Sequence, residues 1–214
     1  MGRAEALSTR RTTVGVYLKA DATASSLSLE AMRLELRDLM VPTGVNLAWT
    51  SAQNPIPTER LIVVTLRGDC QAGATELAGK FKDKTPLAST AVTDGKVLPF
   101  SWVDCDALNK FLKQKLLSQD AANRPEIFGR AIARLIAHEF YHVLTETEAH
   151  TLNGISKAAF STADLLTTYF AFEPEAIANL RLEQPTLAIL ERAEESLGYE
   201  YIPAPEPVEA LAAR

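Results

Sequence analysis

All three histidines of this 214-residue chain lie in one thirteen-residue stretch, HEFYHVLTETEAH, at positions 138–150. In an α-helix, His138 and His142 are one turn apart on the same face. Their ring nitrogens can therefore bind a single ion at about 2 Å, the distance that zinc prefers. His150 is the natural candidate for a third ligand. Three neutral imidazoles leave the fourth tetrahedral position open to water, which is typical of a catalytic zinc site.

Glu139 directly follows the first histidine of this motif, so its carboxylate is expected to project beside the ion. There it can accept a proton from the bound water, whose pKa the ion lowers towards about 7. The product is a nucleophile, and the ion can also polarise a peptide carbonyl. The motif thus predicts hydrolysis with Glu139 as the general base.

Short H-E-x-x-H matches also occur by chance, and a histidine on an apolar helix is often a hydrogen-bonded core residue. Here the match lies in a strongly helical segment, and a third histidine follows at short range. These features favour metal binding. The other candidates for the third ligand are all acidic: Glu146, Glu148, Asp164, Glu173 and Glu175. A glutamate from a second helix would make the protein resemble a gluzincin.

The segment around the motif predicts the long helix that the chemistry requires. Residues 123–144 repeat apolar side chains with the spacing of a broad helical face, and Pro125 suits the first turn. Further on, Ser161 and Asp164 have capping-box spacing, which predicts another helix in STADLLTTYFAF.

Upstream of the motif, β-branched and aromatic runs predict five strands, at 12–20, 44–50, 60–68, 87–93 and 96–104. The third is expected to be buried on both faces, and Asp94-Gly95 predicts a hairpin between the last two. An amphipathic helix is predicted within 25–42. Asp106 is expected to cap a helix through about Leu117, with Phe111 among its inward-facing residues. The expected fold class is α/β (α+β), a mixed sheet backed by long helices.

Composition limits the classes of partner. The net charge of −5 and pI near 5.3 argue against nucleic acid, and no apolar run approaches the roughly 20 residues of a membrane span. The expected organisation is a flexible leader (1–11), a sheet and helix lobe with the active-site helix (12–144), a small helical C-terminal lobe (145–200) and a proline-rich tail (201–214).

With these elements in place, the chain resembles a metzincin zinc peptidase. Metzincins carry H-E-x-x-H on a long helix, then a turn and a third histidine, below a twisted five-stranded sheet whose fourth strand is the antiparallel edge. The resemblance covers about residues 12–150. It implies Zn²⁺ held by His138, His142 and His150, with Glu139 as base.

The resemblance also implies that an extended peptide substrate pairs with the edge strand, through Ser89, Thr90, Ala91 and Val92. In a metzincin sheet the third and fifth strands are parallel neighbours. Cys70 and Cys105, which follow those strands, would then lie within disulfide reach. Such a disulfide favours an exported or periplasmic protein over a cytoplasmic one.

The spacing after the second histidine departs from the usual metzincin pattern. Seven residues intervene instead of five, without the usual glycine. This is similar to a smaller bacterial group in which a Gly-Ile-Met segment follows the third histidine. Here HTLNGIS places Ser156 where that methionine would be. The sequence therefore predicts a zinc endopeptidase, with two alternatives: a zinc-binding pseudopeptidase that binds a peptide or protein, and a helical interaction protein with structural histidines.

Overall fold

A five-stranded sheet and the helices beside it form the part of the chain that positions the motif. The computed structural model describes residues 12–20, 24–73 and 86–182. Its strands are β1 (Thr12–Ala20), β2 (Val45–Thr50), β3 (Arg60–Arg67), β4 (Ala88–Thr93) and β5 (Lys96–Asp104). Its helices are α1 (Ser26–Met40), α2 (Cys105–Leu117), α3 (Arg124–Thr145), α4 (Thr162–Leu166) and α5 (Pro174–Leu182), with a 3-10 turn at Val41–Thr43. The predicted α/β class is confirmed.

The strand order is β2-β1-β3-β5-β4, and only β4 runs antiparallel to its neighbour. Asp94 and Gly95 both have positive φ, 52° and 72°, as the predicted tight hairpin requires. A register shift between Thr90 and Val92 marks a β-bulge in β4. Within the described residues, β4 is thus an edge strand with one side open, as expected.

Helices α1 and α3 pack side by side, and their inward residues form the core with β1 and β3. Gly129 of α3 allows the close approach, because a Cβ there would overlap the carbonyl oxygen of Ser28 in α1. The fully buried Arg134 also joins the elements: it donates to Glu35 at 2.8 Å and to the carbonyl oxygen of Asp164 at 2.9 Å. Helix α3 is therefore fixed from two sides.

A disulfide joins Cys70, just after β3, to Cys105, the first residue of α2. The Cα atoms are 4.9 Å apart and both residues are fully buried. The parallel pairing of β3 with β5 brings the ends of the two strands together, as the resemblance implied. The predicted pairing is confirmed.

Two predicted burial patterns are wrong. Leu61 of β3 is 49% exposed, whereas Ile62, Val64 and Leu66 are buried, so only the face of β3 towards the helices is in the core. Phe111, expected to face inward, is 39% exposed. It lies at the polar boundary of an otherwise correctly predicted helix face.

Two helix ends also differ from prediction. The cap of α2 is Asp104, which accepts from the N–H of Ala107 at 2.8 Å, while Asp106 accepts from the N–H of Asp69. The capping box at Ser161 is present, but α4 ends after five residues. The predicted capping box is therefore confirmed, whereas the predicted cap of α2 and the predicted length of α4 are wrong.

Some predicted segments fall outside the described residues: the leader (1–11), the end of the C-terminal lobe and the proline-rich tail (201–214). The division into lobes at residue 144 stays a prediction. Across the described ranges, no helix is both long and apolar enough to cross a membrane.

Candidate metal site and cleft

Helix α3 presents two of the three histidines from successive turns. The ring centroids of His138 and His142 are 4.7 Å apart, and their Nε2 atoms are 3.1 Å apart. The helix ends at Thr145, and the next residue, Glu146, caps it in the left-handed conformation with φ 50° and ψ 35°. A non-glycine residue thus makes the reversal for which the usual metzincin spacing supplies glycine, and the chain turns back towards the helix face.

This reversal brings His150 beside the other two rings. Its ring centroid lies 5.3 Å from that of His138 and 4.7 Å from that of His142. One ligand nitrogen from each of the three histidines lies within 4.8 Å of the others. The cluster can therefore hold a metal ion, with His142 buried, His138 half-buried and His150 exposed.

Backbone carbonyls fix the tautomers of the two helical histidines. Nδ1 of His138 lies 2.8 Å from the carbonyl oxygen of Ile155, and Nδ1 of His142 lies 2.8 Å from that of Thr147. A carbonyl oxygen only accepts, so each Nδ1 carries the proton and each Nε2 of the neutral ring presents a lone pair. Hydrogen bonds of this kind orient histidines that bind metals.

The two Nε2 atoms are 3.1 Å apart, and in the neutral rings their lone pairs repel each other unless a cation lies between the rings. Burial lowers the pKa of His138 to about 4, and it also lowers the pKa of His142. The rings are therefore neutral near pH 7, as metal binding requires. The donor set fits Zn²⁺, which binds imidazole nitrogen well.

Glu139 lies on the same helix and faces the edge strand. It is only 5% exposed, and its Oε2 accepts a hydrogen bond of 2.6 Å from the hydroxyl of Thr90. Burial raises the pKa of Glu139 to about 7, although the Thr90 hydrogen bond opposes this shift. A carboxylate with such a pKa can both take and return a proton near neutrality.

A cleft of about 280 Å³ joins these groups to β4. The three histidines and Glu139 line it together with Ser89, Thr90 and Val92, three of the four residues predicted to bind substrate. Ala91, the fourth, falls at the bulge and is not part of the lining described here.

The segment after His150 is built without the expected methionine. Ser156 is fully buried and its hydroxyl bonds that of Thr151 at 2.6 Å. The ring of Phe160 packs edge-on against His138, with centroids 5.3 Å apart. An aromatic residue thus supplies the apolar contact beneath the ligands, and the sequence reasoning missed it.

The alternative ligands lie in other environments. Glu146 pairs with Arg60 at 3.5 Å, and Asp164 caps α4 and pairs with Lys157 at 2.8 Å. Glu148 lines the cleft, but it is not in the group of three convergent ligands. Glu173 and Glu175 are outside this group too.

The hydrogen bond from Thr90 to Glu139 was not anticipated. The sequence predicts for Thr90 only a place in a strand that pairs with the substrate. Strand periodicity places Ala88 and Thr90 on one face, but the 49-residue separation between Thr90 and Glu139 cannot be bridged by a local pattern. The sheet register decides this contact.

No known family model matches the chain, and no curated protein matches it significantly. The metzincin relation is therefore a resemblance in motif and in strand order.

Proposed function

We propose that this protein is a zinc-dependent endopeptidase of metzincin-like fold. The observation that carries the proposal is the convergence of the facing Nε2 atoms of His138 and His142 and a third imidazole beside a buried carboxylate, in a cleft bounded by an open strand edge. A purely structural histidine cluster would not need Nε2 atoms that face each other without a proton. Because Glu139, the three histidines and the open side of β4 border the same cleft, the arrangement supports hydrolysis of an extended peptide.

His138, His142 and His150 would hold the ion. A bound Zn²⁺ supplies Lewis acidity, which lowers the pKa of a water molecule and polarises a carbonyl. The protein supplies position and proton transfer. The open side of β4 pairs with the peptide main chain by β-augmentation. Glu139 takes a proton from the attacking water and gives it to the leaving amine nitrogen.

A pseudopeptidase that binds a peptide or protein without cleaving it is the second candidate. This candidate is favoured by Ser156, which occupies the methionine position and is hydrogen-bonded to Thr151. The residues that pack below the histidines therefore differ from those of metzincins. Nucleic acid is not an expected partner of either candidate. The buried disulfide is compatible with an exported protein.

The test begins with protein purified without a histidine tag and loaded with zinc, then incubated with a library of proteome-derived peptides. We expect cleavage by the native protein and by Glu126→Gln, a control with the same chemical change in the first turn of α3. Glu139→Gln should retain zinc and lose cleavage.

The other outcomes separate the candidates. Zinc binding with peptide capture but no cleavage by any form supports the pseudopeptidase. A native protein that binds no zinc under conditions that load a known zinc peptidase overturns both, and leaves the structural-histidine alternative.

A further inference from the structure

The hydroxyl of Thr90 connects the edge strand to the carboxylate of the motif. Its Oγ1 lies 2.6 Å from Oε2 of Glu139 and 2.9 Å from the hydroxyl of Ser101 on β5. Glu139 and Ser101 are both buried. We propose that Thr90 is a positioning residue that holds Glu139 in the orientation of a general base; this inference rests on the proposed peptidase function.

The directions of these hydrogen bonds follow from the number of protons. Thr90 has one hydroxyl hydrogen and gives it to the carboxylate, so Ser101 must donate to Thr90. The two hydroxyls thus form a chain in which Ser101 donates to Thr90 and Thr90 donates to Oε2 of Glu139. Oε1 is left as the oxygen that takes the proton from water and passes it to the amine. The protons of Ser101 and Thr90 stay in place throughout.

The main chain of Thr90 points away from β5, as the hydrogen bonds between β4 and β5 show. The N–H of Asp104 donates to the carbonyl oxygen of Leu87 at 2.9 Å, so this is a hydrogen-bonded pair of the β4–β5 ladder. Along an antiparallel ladder, hydrogen-bonded and non-hydrogen-bonded pairs alternate. The register pairs Thr90 with Ser101, and Thr90 is three positions after Leu87. That pair is non-hydrogen-bonded, and the N–H and C=O of Thr90 point to the open edge.

One residue therefore serves two partners. Its main chain is available to a bound peptide, and its side chain holds the base on the helix side of the sheet. A peptide that pairs with β4 at this position is then aligned with Oε1 of Glu139. The bulge directly after Thr90 ends the regular ladder there. A bound peptide can therefore pair regularly with β4 only up to Thr90, the residue that is hydrogen-bonded to Glu139.

The test compares Thr90→Val, which keeps the β-branched shape but loses the hydroxyl, with Thr90→Ser, which keeps the hydroxyl. A hydrogen bond to a charged group predicts roughly a 10- to 100-fold fall in kcat for Thr90→Val, with KM nearly unchanged because the main chain is intact. Thr90→Ser should recover most of kcat. Thr65→Val, the same change on β3, is the control.

Ser101→Ala removes the second hydrogen bond and is a further variant if Thr90→Val does not fold; we expect a fall in kcat of several-fold. Equal kcat in Thr90→Val and Thr65→Val, both folded and zinc-loaded, would overturn the proposal. So would a native kcat in Ser101→Ala if Thr90→Val does not fold.

Crystal structures of the zinc-loaded variants give a readout independent of activity. In Thr90→Ser the carboxylate should stay within hydrogen-bonding distance of the hydroxyl, and in Thr90→Val it should move away from β4. An unmoved carboxylate in Thr90→Val overturns the positioning role. If the native protein cleaves no peptide but the carboxylate moves as expected, the peptidase function fails, whereas the structural part of the inference, that Thr90 orients the carboxylate of Glu139, holds.

Discussion

Removal of the disulfide should lower stability by an amount that the loop length sets. Cys70 and Cys105 are separated by 35 residues. In the chain-entropy model, a cross-link that closes a loop of this size stabilises the folded protein by about 4 kcal/mol. For a domain of this size the denaturant slope in urea is about 2 kcal/mol/M. The unfolding midpoint should therefore fall by about 2 M.

Urea titrations followed by circular dichroism measure this change in Cys70→Ala/Cys105→Ala. Both cysteines are fully buried, so the double variant also loses packing. Native protein unfolded and refolded in reductant is the matched control, since it lacks the cross-link but keeps the sulfur atoms. Neither cysteine lines the cleft, and folded variants should retain zinc. Reduced and oxidised native protein with the same midpoint would refute the loop-closure argument.

Three further predictions follow from single contacts. Gly129→Ala should destabilise the fold by about 3 kcal/mol because its Cβ meets the carbonyl oxygen of Ser28. Helix propensity alone predicts the opposite, a stabilised variant, so a higher thermal unfolding temperature in Gly129→Ala would contradict this prediction. Burial opposes ionisation of Asp164, but hydrogen bonds, first that from Lys157, lower its pKa. Its contribution is thus present above about pH 4, the unfolded pKa, and lost as pH falls through the folded pKa; acid titrations of Asp164→Asn should lack that loss. Glu148 adds negative charge to the cleft, so Glu148→Gln should lower the preference for peptides with Lys or Arg beside the cleaved bond about threefold in kcat/KM, and an unchanged preference would exclude this role.

Local chemistry allowed much of the fold to be predicted. The Asp94-Gly95 pair fixed a hairpin because both residues accept positive φ, and β1 and β5 have the predicted limits. Prediction failed where a contact distant in sequence decides. Asp106 was expected to cap α2, yet its carboxylate instead accepts from Asp69 in the loop after β3.

The site could be predicted only in part for the same reason. The spacing of His138 and His142 places both rings on one helix face whatever surrounds the helix. The position of His150 depends on Glu146 adopting a left-handed conformation, which is uncommon for a residue other than glycine. The contacts of Thr90 and Phe160 with motif residues depend on sheet register and loop path, which no periodicity encodes.

The irregularity in β4 also affects how molecules meet at high concentration. The main-chain groups on the open side of this strand would accept any extended segment, including the same strand of a neighbouring molecule. The bulge between Thr90 and Val92 breaks that match after a few residues, and natural sheets use bulges to discourage edge-to-edge joining. The strand can thus bind one short extended peptide, while the bulge limits edge-to-edge polymerisation of the protein.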